Sequence, residues 1–220
     1  MVTIESLQRR ALLYGLLARL YSYPLDRQVL SAVAALSLEG APPELEEPLS
    51  RMAGAAAALS TEVGVQALNV EATRLFEGPG KPVAPPYASY YLHGRLMGPA
   101  AVSASRFYLS HDATPDSDGI VPPDHLSLEL GFLAYLAARA ERAAARDGAD
   151  EAKAAHRASR QFLEEHLLSW ITRFTEDVVR GADSAFFTGL ARFTLVVLDW
   201  DYRWLEALEA KHLEMEGVRR

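Results

Sequence analysis

The sequence predicts an all-α protein: a single globular helical domain over residues 1–220, with about eight or nine helices. Ala, Leu, Glu and Arg dominate and long β-branched runs are missing, a composition that favours helix over strand. Apolar residues recur at helical spacing along most of the chain, and the breaks carry proline, glycine or capping residues. A chain of 220 residues is long enough to bury a full hydrophobic core in one domain.

Ile4, Leu7, Ala11, Tyr14, Ala18 and Tyr21 line one face of a first helix, and Leu13, Leu16, Leu17 and Leu20 widen that stripe. Pro24 ends it. Asp26 is placed to cap a second helix running to about Leu38, with Leu25 and Leu30 as a hydrophobic staple across its first turn. After Gly40-Ala41-Pro42-Pro43 a third helix covers roughly Glu44 to Leu59, and Thr61 can cap a fourth that ends near Phe76.

From Glu77 to Pro86, four prolines and two glycines in ten residues exclude helix and predict a loop of partly extended backbone. Short helices follow over about Ser89 to Met97 and Ala101 to His111, then a turn-rich segment, Thr114 to Gly119. Pro122-Pro123-Asp124 starts a long helix through about Arg146, which breaks at Asp147-Gly148. Two further periodic segments run from about Asp150 to Arg180 and from Asp183 to Leu213.

Composition also removes functions. With no cysteine there is no disulfide framework, thiolate metal site or thiol nucleophile. A formal charge of −7 disfavours nucleic acid and suits a basic partner, although solubility explains such a charge equally well. Met1 to Ser6 carry no basic leader, and Arg9, Arg10 and Arg19 interrupt the apolar stretch that follows. A cytoplasmic protein without stable membrane insertion is expected.

The chemical motifs come up empty. Gly78-Pro79-Gly80-Lys81 resembles part of a phosphate loop, but Leu75 stands at the first glycine and Pro82 replaces the magnesium-binding hydroxyl. Of the six histidines only His212 has a glutamate three residues earlier, Glu209, whereas a di-iron bundle needs two such pairs. Neither a His-Glu-x-x-His zinc motif nor a Gly-x-Ser-x-Gly elbow occurs. The expectation is a protein without catalysis, metal or cofactor.

Two segments stand out. Glu71 to Tyr91 combines a helix end, a proline-stiffened loop and Tyr87, Tyr90 and Tyr91, which suits a peptide-binding surface and equally a packed loop whose aromatics are core. Pro122 to Phe132 places His125 and Glu129 one turn apart at a helix start, with Asp124 or Ser127 as the cap. That reads either as an N-cap with a surface ion pair or as an acidic site for a guanidinium.

Glu71 to Pro79, Pro85 to Ser89 and Pro122 to Phe132 resemble the hallmark segments of the TorD/DmsD/NarJ redox-enzyme maturation chaperones, and Phe162 to Trp170 with Phe186 to Ala191 are similar to that family's C-terminal half. The resemblance implies an all-helical globule whose two hallmark loops lie together as a client-binding surface. Leu75, Phe76, Pro86 and Tyr87 would form its apolar side and Asp124, His125 and Glu129 its polar side, with Ser89 orienting the loop. The implied partner is the precursor of a molybdoenzyme catalytic subunit of the dimethyl-sulfoxide-reductase class, held by its twin-arginine leader during molybdenum cofactor insertion. Two alternatives stay open: a chaperone of the enzyme body without leader recognition, and a nucleotide-binding or nucleotide-sensing maturation factor.

Overall fold

The computed structural model describes the backbone of residues 4–36, 43–78, 80–114 and 121–218, and the side chains within those ranges from residue 9 to residue 214. The described residues form ten α-helices: α1 (Ile4–Leu20), α2 (Arg27–Ala34), α3 (Pro43–Leu59), α4 (Glu62–Ala72), α5 (Ala88–His93), α6 (Pro99–Ser110), α7 (Leu126–Ala144), α8 (Ala149–Phe162), α9 (Ile171–Gly181) and α10 (Ala185–Val218). No strand occurs among them. α1 and α8 pack against α7, while α3 and α9 pack against α10. One hydrophobic cluster draws buried residues from all ten, with Tyr14, Tyr108, Phe76, Phe162, Trp170, Phe174, Phe186, Phe187 and Phe193 as its bulk.

Local chemistry explains most boundaries. Asp26 accepts a hydrogen bond from the Val29 N–H at 2.8 Å and Thr61 from the Gly64 N–H at 3.0 Å, each satisfying one orphan donor of a first turn. Leu25 and Leu30 are both buried, as a staple requires. The α5 helix stops at His93, short of the expected Met97, because Gly94 takes the left-handed conformation (φ 70°) that closes a helix end. Gly189 lets α10 approach α3 closely, since a β-carbon there would meet the Met52 backbone nitrogen at 3.0 Å. The expected end of α2 near Leu38 and the turn-rich segment after Thr114 lie outside the described residues, Thr114 itself excepted.

The largest departure is in the segment expected to run unbroken from Asp150 to Arg180. It divides: α8 gives way to a π-helical turn, Leu163–Leu167, and after a short turn α9 starts at Ile171. The break raises the expected eight or nine helices to ten, and it turns Leu163, His166, Leu167 and Trp170 all inward.

A buried ion pair ties the first helix to the last. Arg10 Nε and Nη2 donate to the Asp201 carboxylate at 2.6 and 2.8 Å, and the Tyr14 hydroxyl donates to the same carboxylate at 2.7 Å. The Arg10 guanidinium also lies over the Trp204 ring, 4.9 Å from its centroid. His156 meets the Trp204 ring edge-on at 5.6 Å, and its two ring nitrogens make no hydrogen bond.

Candidate functional site

The first hallmark segment begins where α4 widens into a second π-helical turn, Thr73–Glu77. The Gly78 N–H closes it on the Thr73 carbonyl at 2.6 Å, and the Ala84 N–H returns to the Leu75 carbonyl at 2.7 Å. This geometry turns Leu75 and Phe76 into the core, where they are 0% and 1% exposed. Phe76 meets Tyr21, Tyr23, Phe174 and Phe187 with centroids 5.5 to 6.1 Å apart. Pro86 is buried too, and Tyr87 is half-buried. Of the expected apolar contact set, only Tyr87 reaches the surface.

The structure brings the two hallmark segments together. The Ala88 N–H donates to the Asp124 carbonyl at 3.0 Å and the Leu126 N–H to the Pro86 carbonyl at 2.9 Å, forming an antiparallel bridge between Tyr87 and His125. Above it the Tyr87 and His125 rings meet edge to face, centroids 4.9 Å apart. Asp124 does not cap α7, nor does Ser127; its side chain instead accepts the Ser89 N–H at 2.7 Å, across the bridge. The cap is His125, whose Nδ1 accepts the Ser127 N–H at 3.1 Å and also meets the Ser127 hydroxyl at 2.7 Å. With Nδ1 accepting, the ring proton sits on Nε2.

Behind the bridge lies a cluster of buried polar groups with few partners. Ser89, Asp124 and Glu129 are each 0% exposed and Trp170 1%. Ser89 Oγ, Asp124 Oδ1, both Glu129 oxygens and Trp170 Nε1 make no hydrogen bond, although buried polar groups are nearly always paired. Burial, reinforced by the Asp124 charge, holds the Glu129 carboxyl well above the usual carboxylate range, and the nearby Trp170 indole N–H pulls the other way. Burial also lowers His125 to about 4, so it brings no positive charge at neutral pH. His125 and Glu129 therefore form no surface ion pair.

Trp170 connects this cluster to the surface. Tyr91 stacks on it, centroids 5.6 Å apart, and Tyr91 lines an open groove of about 540 Å³ with Lys81, Tyr90, Arg173, Glu176, Asp177 and Arg180. On the side of α5 and α6 a groove of about 220 Å³ runs past Ala88, Leu92 and Pro99, and Leu92, Leu96, Met97 and Val102 are exposed nearby. Exposed apolar side chains grouped in this way mark interaction surfaces.

Sequence reasoning gave no role to Trp170 or Tyr108. The Tyr108 hydroxyl donates to the Pro123 carbonyl at 2.8 Å, beneath the second hallmark segment. Trp170 stood inside the stretch similar to the family's C-terminal half, which was its one signal. The Gly78 to Lys81 segment opens no helix: the Gly78 N–H is used in closing the π turn, and irregular backbone follows from Lys81. His212 and Glu209 do not act as a pair, for Glu209 accepts from Arg160 Nε at 2.7 Å. Among the described residues no group of three or more metal-ligating side chains is found, and no helix is long and apolar enough to cross a membrane.

The fold is shared with a solved structure described as a redox enzyme maturation protein from Archaeoglobus fulgidus. The TM-score is 0.54 at 21% identity, over 86% of this chain and 93% of that one. The chain belongs to the nitrate reductase delta subunit family, whose sequence profile matches residues 38–176, and this is the TorD/NarJ kinship carried by the hallmark segments. Among its relatives is a chaperone protein TorD of Aliivibrio salmonicida, 26% identical over 90% of this chain and 95% of that protein. A selenate reductase assembly chaperone of Thauera selenatis is 44% identical over a shorter stretch, 37% of this chain and 40% of that protein.

Proposed function

We propose that this protein is a cytoplasmic redox-enzyme maturation chaperone that holds the precursor of a molybdoenzyme catalytic subunit, through its twin-arginine leader, while the molybdenum cofactor is inserted. The observation that carries the reading is the acid pair, Asp124 and Glu129, set behind the bridge between the hallmark segments, with no cation facing it among the described residues. Buried acceptors without donors suit a guanidinium, which brings five N–H groups and a permanent positive charge. The leader's apolar stretch then lies along half-buried Tyr87 and the exposed Leu92, Leu96 and Met97, while Phe76 supports that surface from the core.

Calorimetric titration of the full chain with synthetic twin-arginine leader peptides tests this. Saturable binding that is lost when the peptide arginines become alanine, and weakened in an Asp124→Ala, His125→Ala variant, is the expected result. Capture of a leaderless, cofactor-free catalytic subunit, with no leader binding, would instead make the enzyme body the client element.

A further inference from the structure

The buried cluster is a matter of proton inventory as well as geometry. Among the described residues, the polar and titratable groups that act on Glu129 are Asp124 from the connector before α7, Tyr108 from α6 and Trp170 from the turn before α9. None is a cation. His125 lies beside them but stays neutral, with Nδ1 committed to Ser127. Two carboxyl groups buried together disfavour double ionisation, and burial, reinforced by the Asp124 charge, holds the Glu129 carboxyl well above the usual carboxylate range. Independently of the acids, Ser89 Oγ is fully buried and unpartnered at the same place, while the Trp170 indole N–H lies near enough to Glu129 to act on its carboxyl.

Resting on the reading of Asp124 and Glu129 as the leader's arginine site, we propose that a guanidinium entering the cluster displaces the proton of Glu129, so that leader binding releases one proton to solvent. The Glu129 O–H bond breaks, the proton passes to the buffer, and the freed carboxylate and Asp124 accept guanidinium N–H donors. The guanidinium charge beside Glu129 favours its ionised form, and the freed carboxylate accepts charge-assisted hydrogen bonds. Asp124 and Glu129 are wholly covered, so binding requires the structure over them to open locally.

Proton release makes affinity depend on pH: wherever Glu129 is protonated in the free protein and ionised in the complex, the leader Kd falls about tenfold per pH unit. The experiment is calorimetric titration of the full chain with a synthetic twin-arginine peptide at several pH values, in phosphate and in Tris, whose ionisation enthalpies differ. The expected result is about one proton released per peptide bound by the wild type. A Glu129→Gln variant should release none, and its Kd should not vary with pH. Peptide binding by the wild type without proton release overturns the proposal and leaves the leader reading standing; no binding at all removes both. The wild-type buffer series decides the matter even where the variant does not fold.

Discussion

Arg10 and Asp201 meet in the core as a closed pair, with two charge-assisted hydrogen bonds, a third from Tyr14 and the Trp204 ring across the guanidinium. Asp124 and Glu129 meet in the same core with one backbone N–H, donated to Asp124, and with three of their own four carboxyl oxygens making no hydrogen bond. Both clusters are as fully buried as the leucines beside them. Burial of charge is therefore no mark of a site in this fold. What separates the two is balance: the first supplies its own cation and donors, and among the described residues the second has no cation and a single backbone donor.

The comparison breaks most directly at Asp201. Asp201→Ala leaves Arg10 buried and unpaired, and should cost about 3–5 kcal/mol in urea unfolding; a loss under about 1 kcal/mol would mean the pair is not the closed unit described. His156 comes next. Burial, and secondarily Arg10, lower it to about 4 from an ordinary 6.5. Its stabilising share is thus present above pH 6.5 and is lost as pH falls toward 4. Unfolding measured across that window should show a loss of roughly 3 kcal/mol that a His156→Gln variant lacks.

Tyr14→Phe removes one donor to a charged acceptor and should cost about 1.5–3 kcal/mol by the same urea assay. Glu129→Gln has the opposite sign. A carboxyl raised on folding gives stability that is present below its ordinary 4.5 and is lost as pH rises through the folded value. The glutamine variant should therefore gain about 1 kcal/mol at pH 8 and lose the wild type's decline as pH rises above 4.5; an unchanged slope there would show that Glu129 carries no proton.

What could be read from the sequence was what is local. Asp26 and Thr61 sit beside the N–H groups they cap, so composition and spacing were enough to place the starts of α2 and α4. The division of α8 from α9 was not legible, because no proline or glycine stands between Phe162 and Ile171; the π turn that ends α8 is fixed by packing of His166 and Trp170. At the site, the resemblance brought Pro86, Tyr87, Asp124 and His125 together. Local pattern read His125 and Glu129 as a solvated helix start, since nothing in Pro122 to Phe132 reports that α6 and Trp170 close over them. The Arg10–Asp201 pair spans 191 positions and has no local signature at all.

That span orders events during synthesis. Ribosomes add roughly 5–20 residues per second, so the guanidinium of Arg10 is made about 10 to 40 seconds before the carboxylate that completes it. Until then the first helix cannot settle into its final berth without burying a bare charge. The first helix therefore gains the partner of its buried charge only once residue 201 has been made.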